Sequence, residues 1–195
     1  MRTRYGAPII GIAGWKKSGK TTLTVRLIEE FSRRGLKVAS LKHAHHEFQV
    51  DSGETDSARH RRAGAAQVAV VSAARWALIT ELNDAPEPNF EEIVNTLDPC
   101  DLVIVEGYKS AAIPKIEARR EASITRKPLA GDDPLIFAIA ADHPVEEAGL
   151  PVYSLDDIEP LANLIENRFG PLKAHLIPPA ENISSKPALL EQDDE

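Results

Sequence analysis

The stretch from Gly14 through Trp15, Lys16, Lys17, Ser18, Gly19 and Lys20 to Thr21 constrains this chain more than any other. It fits the pattern G-x-x-x-x-G-K-[ST] at every fixed position. Gly14 and Gly19 let the backbone turn tightly and approach an anion without a Cβ in the way. Successive N–H groups then face inward, and the helix behind them presents its positive end to the same charge. Lys20 is spaced to reach β- and γ-phosphates, and the Thr21 hydroxyl to ligate Mg²⁺. Context supports this: residues 7–13 ahead form a short apolar run of buried-strand type. Residues 22–34 behind carry Leu23, Leu27 and Phe31 at helical spacing, with Val25 and Ile28 beside them. Strand, glycine loop and helix stand in the order phosphate binding needs, so the stretch reads as a nucleotide-binding loop.

Length and charge narrow the rest. A chain of 195 residues, 43% hydrophobic and 27% charged, can bury one domain core, expected over residues 1–170. The net charge of −7 argues against wrapping nucleic acid or lying on an anionic membrane as the main activity. A single cysteine, Cys100, excludes an internal disulfide, and its place before an apolar strand reads as packing. No signal-peptide pattern opens the chain, and no run approaches the roughly 20 apolar residues of a membrane span. The expectation is a reduced, cytoplasmic protein.

Gly35 closes the first helix, and residues 36–41 form a second strand. Two strands joined by a helix make a parallel, right-handed unit, whose ligands sit at the carboxyl ends of strands. Residues 42–51 therefore leave the sheet on the nucleotide side. His43, His45 and His46 invite three readings: a metal site, contact with phosphate or substrate, or a solvated loop. Asp51 is a candidate to hold Mg²⁺. Thr55 or Asp56 can cap a short helix that Gly64 ends, and Arg59, Arg61 and Arg62 make it the densest basic patch of an acidic chain. That patch reads either as a solvated face or as contact with an anionic ligand or acidic partner.

Residues 67–72 and 76–81 are apolar strands joined by three residues, too few for a crossover helix, so they form an antiparallel hairpin. Such an insert on a parallel core is a candidate dimerisation edge, with Trp76 read as packing. Asn89 caps a helix over 90–97. Residues 101–106 then run apolar into Glu106, the look of a Walker B strand whose carboxylate holds Mg²⁺ through water. Residues 113–117 read as a strand, and 119–121 as a surface turn. Another buried strand over 134–140 leads to Asp142, whose carboxylate could accept from guanine N1–H and N2–H₂, although the N-K-x-D signature of guanine selection is absent. A short strand over 151–154 and a helix over 156–169 follow. Residues 171–195 set five acids against two lysines without periodicity, which describes a disordered acidic tail.

Taken together, GWKKSGKTT, KHAHHEF, TDSARHRRAGAAQ, RWALITE and LVIVEGYK, in this order, resemble the MobB family, the molybdopterin-guanine dinucleotide biosynthesis protein B. The resemblance covers about residues 7–169. It implies a P-loop NTPase fold, mainly a parallel sheet flanked by helices with an antiparallel hairpin insert. It also implies a GTP- and Mg²⁺-binding homodimer with weak hydrolysis. The implied partner is a MobA-type guanylyltransferase, which attaches GMP to molybdopterin. By matching position, residues 14–22 would bind phosphate and Glu106 would stand at the Walker B place. His43, His46 and the segment from Asp56 to Gly64, Arg61 included, would line the nucleotide or cofactor groove. Family loops usually carry small residues early, so Trp15-Lys16-Lys17 is a bulkier, more basic version. Two other uses of the loop remain open on sequence alone. One is a small-molecule kinase with His43 or Asp51 as base. The other is a metal-delivery GTPase using His43, His45 and His46.

Overall fold

A computed structural model describes residues 1–44, 48, 50, 54–146, 149–170 and 172. His45, His46, Asp51 and, apart from Leu172, the acidic tail expected over residues 171–195 lie outside the described residues.

Six parallel strands form the central sheet: β1 (Ile9–Ala13), β2 (Val38–Lys42), β5 (Leu102–Glu106), β6 (Lys115–Arg119), β7 (Ile136–Ala141) and β8 (Val152–Ser154), in the order β2-β5-β1-β6-β7-β8. β1 and β5 are buried at every position because both faces are covered, which is why they read as unbroken apolar runs. On one face, Ile10, Ile12 and Ile104 pack against α1 (Lys20–Arg33) and α4 (Ile158–Phe169) through Leu23, Leu27, Phe31, Leu161 and Ile165. On the other, Ile9, Val103 and Val105 meet Val94 of α3 (Phe90–Asn95) and Cys100. Each buried Leu, Ile or Phe contributes about 1.5–3 kcal/mol of transfer free energy. Val25, on the far side of α1 from Leu23 and Leu27, is 46% exposed.

Helix ends follow local chemistry. Gly19, at φ 92°, is the N-cap of α1, so the helix starts at Lys20 rather than Thr22. Gly35, at φ 80°, ends it: the Gly35 and Leu36 N–H groups donate to Ser32 O and Phe31 O. Asn89 and Glu92 close a reciprocal capping box on α3. Thr55 caps α2 (Asp56–Arg62), its hydroxyl accepting from the Ala58 N–H.

β3 (Gln67–Val71) and β4 (Trp76–Thr80) form the expected hairpin as a separate two-stranded antiparallel sheet, against which α2 packs. Trp76 does not pack within the chain: it is 68% exposed, beside Val71 at 74% and Leu78 at 52%. A two-stranded ribbon has two faces, and α2 can cover only one of them.

β6 is displaced from expectation, covering Lys115–Arg119 instead of 113–117. Its polar residues concealed the strand, because Lys115 and Glu117 are both only 1% exposed. Lys115 Nζ pairs with Asp133 at 3.0 Å. Glu117 accepts from the Leu129 and Ala130 N–H groups at 2.9 and 3.0 Å, and from Arg119 at 2.8 Å. Fully partnered charges can be buried, and sequence hydropathy does not register their partners.

Candidate functional site

The glycine loop leaves β1 at the carboxyl edge of the sheet, between β5 and β6. Gly14 takes φ 149°, where an added Cβ would lie 2.3 Å from Ser18 Oγ and 2.7 Å from the Ala118 carbonyl oxygen of β6. Lys17 sits at φ 65°. α1 then begins with no side-chain cap and no acid in its first turn. Its leading N–H groups consequently have no partner within the helix, and its dipole is uncompensated by side chains there. Ser18 is 2% exposed, and its hydroxyl has no hydrogen-bond partner among the described residues. Buried hydroxyls are ordinarily partnered, so this orphan donor, together with the bare helix end, fits an anionic oxygen in the cradle. A concavity of about 560 Å³ opens here, lined by Lys17, Ser18, Gly19, Lys20, Thr21, Thr22, Arg120 and Ala122.

Parallel register brings the acidic partner to the same place. Glu106 ends β5 opposite Ile12 of β1 and Lys42 of β2. It is 7% exposed, and its Oε1 accepts from the Thr21 hydroxyl at 2.7 Å. Lys42 Nζ lies 3.5 Å from the same oxygen. One hydroxyl and one carboxylate suit Mg²⁺, which keeps several waters and takes its other ligands from phosphate. Among the described residues, no three His, Cys, Asp or Glu side chains are grouped to hold a metal by themselves.

Lys20 Nζ donates to the Trp15 carbonyl at 2.7 Å. Burial, then Lys109, pushes its pKa below the ordinary lysine range; Glu106 opposes that shift and Lys42 adds to it. Trp15 is held from two sides: its Nε1–H donates to Lys127 O at 2.7 Å, and Lys109 Nζ stands 3.9 Å from its ring centroid. Neither Lys42 nor Lys109 stood out in the sequence. Lys42 could have been found by counting the second strand to its carboxyl end.

The remaining expected residues distribute around this centre. His43 follows β2, stacks on Tyr108 at 4.5 Å and reaches Glu87 Oε1 with Nε2 at 3.0 Å. Burial and Glu87 push the Tyr108 hydroxyl pKa upward. Asp142 ends up beyond β7, where its Oδ1 accepts from the Glu121 N–H at 2.8 Å and lies 2.9 Å from His143 Nδ1. Those contacts, His143 foremost, lower its pKa. Asp56 and Arg61 do not line the phosphate concavity. Arg61 Nη1 instead bonds Glu81 at 3.0 Å, and the Asp56 side chain is 88% exposed beside Arg59. No helix among the described residues is long and apolar enough to cross a membrane.

The loop after β6 closes the site from the side opposite Glu106. Beyond the Glu117 and Trp15 contacts, the Ser123 hydroxyl bonds Thr125 O at 3.0 Å and lies 3.3 Å from Lys16 O. Arg120 Nη2 reaches Thr22 Oγ1 at 3.4 Å. Within the stretch expected as a surface turn over 119–121, Arg120 is therefore part of the site's wall.

Known proteins share this architecture. The family model described as molybdopterin guanine dinucleotide synthesis protein B matches residues 9–142. The chain is 38% identical over 163 residues to the molybdopterin-guanine dinucleotide biosynthesis adapter protein of Haemophilus influenzae, covering 82% of this chain and 88% of that protein. The protein of the same description from Escherichia coli is 36% identical over 160 residues, covering 81% and 91%. A crystal structure of molybdopterin-guanine biosynthesis protein B superposes with a TM-score of 0.63 at 27% identity, covering 82% of this chain and 99% of that one.

Proposed function

Because this chain belongs to the family of molybdopterin guanine dinucleotide synthesis protein B, adapters in making that dinucleotide, we propose that it binds GTP with Mg²⁺ and works beside a MobA-type guanylyltransferase. That partner attaches GMP to molybdopterin. The observation that carries the nucleotide reading is the buried Ser18 hydroxyl at the bare N-terminus of α1, which has no hydrogen-bond partner among the described residues. An anion there completes hydrogen bonds that the protein leaves unmade. Gly14 to Thr22 would cradle the phosphates, and Lys20 would exchange the Trp15 carbonyl for a phosphate oxygen. Thr21 and Glu106 would hold Mg²⁺, whose charge offsets that of the phosphates. Asp142, one-third exposed just past β7, is the candidate reader of guanine. His43, which follows β2, would line the nucleotide or cofactor groove.

The protein acts in this reading chiefly through occupancy of the site, with hydrolysis weak. The exposed apolar residues of the β3–β4 hairpin are the surface on which two copies would associate. Equilibrium titration with GTP and ATP, with and without the transferase, tests the nucleotide reading, with Lys20→Ala as control. GTP should bind more tightly than ATP, and Lys20→Ala should lose most of that affinity. Equal, Lys20-independent responses to both nucleotides would refute it.

A further inference from the structure

The segment from Arg119 to Lys127 is rich in cations, and nearly all of them are matched. Arg119 pairs with Glu117 at 2.8 Å, Arg126 with Glu121 at 2.6 Å and Lys127 with Asp132 at 2.7 Å. His143, packed beside them, meets Asp142 at 2.9 Å. Arg120 is the exception: among the described residues it pairs with no carboxylate. Its Nε stands 2.8 Å from where a Cβ on Gly19 would be, and its Nη2 donates to the Thr22 hydroxyl at 3.4 Å. The guanidinium thus lies across the first turn of α1 and lines the phosphate concavity, next to the orphan Ser18 hydroxyl.

Which phosphate it meets follows from the direction of the site. The magnesium end is fixed by Thr21 and Glu106 on the β5 side. Arg120 comes from β6, on the other side of β1, as does Asp142 from β7 beyond it. A nucleotide with its γ-phosphate at Glu106 and its base toward Asp142 must carry its α-phosphate past Thr22 and Arg120. We propose that Arg120 is a built-in phosphate clamp, supplied by the loop after β6, that grips the phosphate nearest the sugar. The burial of Glu117 under Leu129 and Ala130, and the Trp15–Lys127 bond, hold that loop against the glycine loop. A planar fork of donors at this point suits a phosphate better than an ammonium would.

The proposal rests on the nucleotide reading above, and titration of wild type, Arg120→Ala, Arg120→Lys and Lys20→Ala with GTP and with GDP separates the two. Arg120→Ala should weaken GTP and GDP alike, by about tenfold to a hundredfold, the range of a lost charge-assisted hydrogen bond. Arg120→Lys should recover part of the loss, which a merely structural role would not predict. If Arg120→Ala does not fold, Arg120→Gln carries the same test. Unchanged affinity in a variant whose wild type binds would overturn the clamp and leave the nucleotide site standing. A loss confined to GTP would overturn it equally, by moving the contact to the γ-phosphate. A wild-type protein that binds neither nucleotide would overturn both.

Discussion

Gly14→Ala is the sharpest perturbation of the glycine loop, because the structure prices it in two parts. At φ 149° an alanine is strained by about 1–2 kcal/mol. The new methyl would also lie 2.3 Å from Ser18 Oγ and 2.7 Å from the Ala118 carbonyl. Ser18 could rotate, but the carbonyl belongs to a strand buried in the sheet. Overlap of this kind costs a further 1–3 kcal/mol or so when the surroundings hold. The cheaper escape is for the loop to lift by about an ångström. That spares the fold but misplaces the amides that face the phosphates, and displacements of this size cost on the order of a hundredfold where geometry matters. The melting temperature should therefore fall by only a few degrees, while GTP affinity falls at least thirtyfold by equilibrium titration. Gly35→Ala separates strain from crowding: its φ is 80°, yet nothing lies within 4 Å of the added Cβ. It should lose about 1 kcal/mol of stability and keep full nucleotide affinity. The double variant with Ser18→Ala removes the nearer overlap but leaves the Ala118 carbonyl, so binding should stay impaired. If Gly14→Ala binds GTP like wild type, the cradle is not where the phosphates sit.

Two other consequences are measurable. Hydrogen bonds from Arg33 and then Arg34 hold the Glu30 carboxyl at about 2, against an ordinary value of 4.5. A depressed carboxylate stabilises the fold above its unfolded pKa and loses that contribution as pH falls toward the folded one. Because Arg33 is 70% exposed, solvent screening trims the effect to about 1–2 kcal/mol. Thermal melts between pH 5 and pH 2.5 should show wild type losing that much relative to Glu30→Gln, and parallel curves would remove the ion pair from the account. At the hairpin, Trp76→Glu places a charge in the exposed apolar patch. Sedimentation should show wild type as a dimer and the variant as a monomer with its melting temperature little changed; a variant that sediments as a dimer would send the interface elsewhere.

What the sequence made legible is what depends on neighbours in the chain. Gly14 to Thr21, the Thr55 and Asn89 caps and the four-residue turn between β3 and β4 are local patterns whose physics is complete within a few residues. The position of Glu106 beside the glycine loop was also legible, because an apolar strand ending in an acid and a glycine loop after a neighbouring strand both lie at the carboxyl edge of one parallel sheet. Arg120 and Lys127 were not, since they meet the loop across 98 and 112 residues of chain. No local pattern records that β6 lies beside β1. The mistaken edge of β6 has the same origin: Lys115 and Glu117 read as polar until Asp133 and the 129–130 amides arrive from elsewhere. Trp76 misled in the other direction, since an apolar residue in a strand announces burial without saying which chain supplies the cover.

The arrangement of charge at the site bears on why an adapter would be built this way. Lys42 and Lys109 gather around Lys20, and each of the three holds a modest partner: a carbonyl at 2.7 Å for Lys20, a carboxylate oxygen at 3.5 Å for Lys42 and the face of Trp15 for Lys109. A triphosphate offers the ammonium groups stronger, charge-assisted bonds for small movements of flexible side chains. If the proposed nucleotide reading holds, binding would leave the glycine-loop backbone where it is, which keeps the ordering cost low. Such contacts grip the ground-state phosphates, whereas acceleration of hydrolysis requires contacts that strengthen only as the γ-phosphoryl group departs. Charge held close to the resting triphosphate favours a long-lived bound state. A long-lived bound state is the form in which a nucleotide can be shown to another protein.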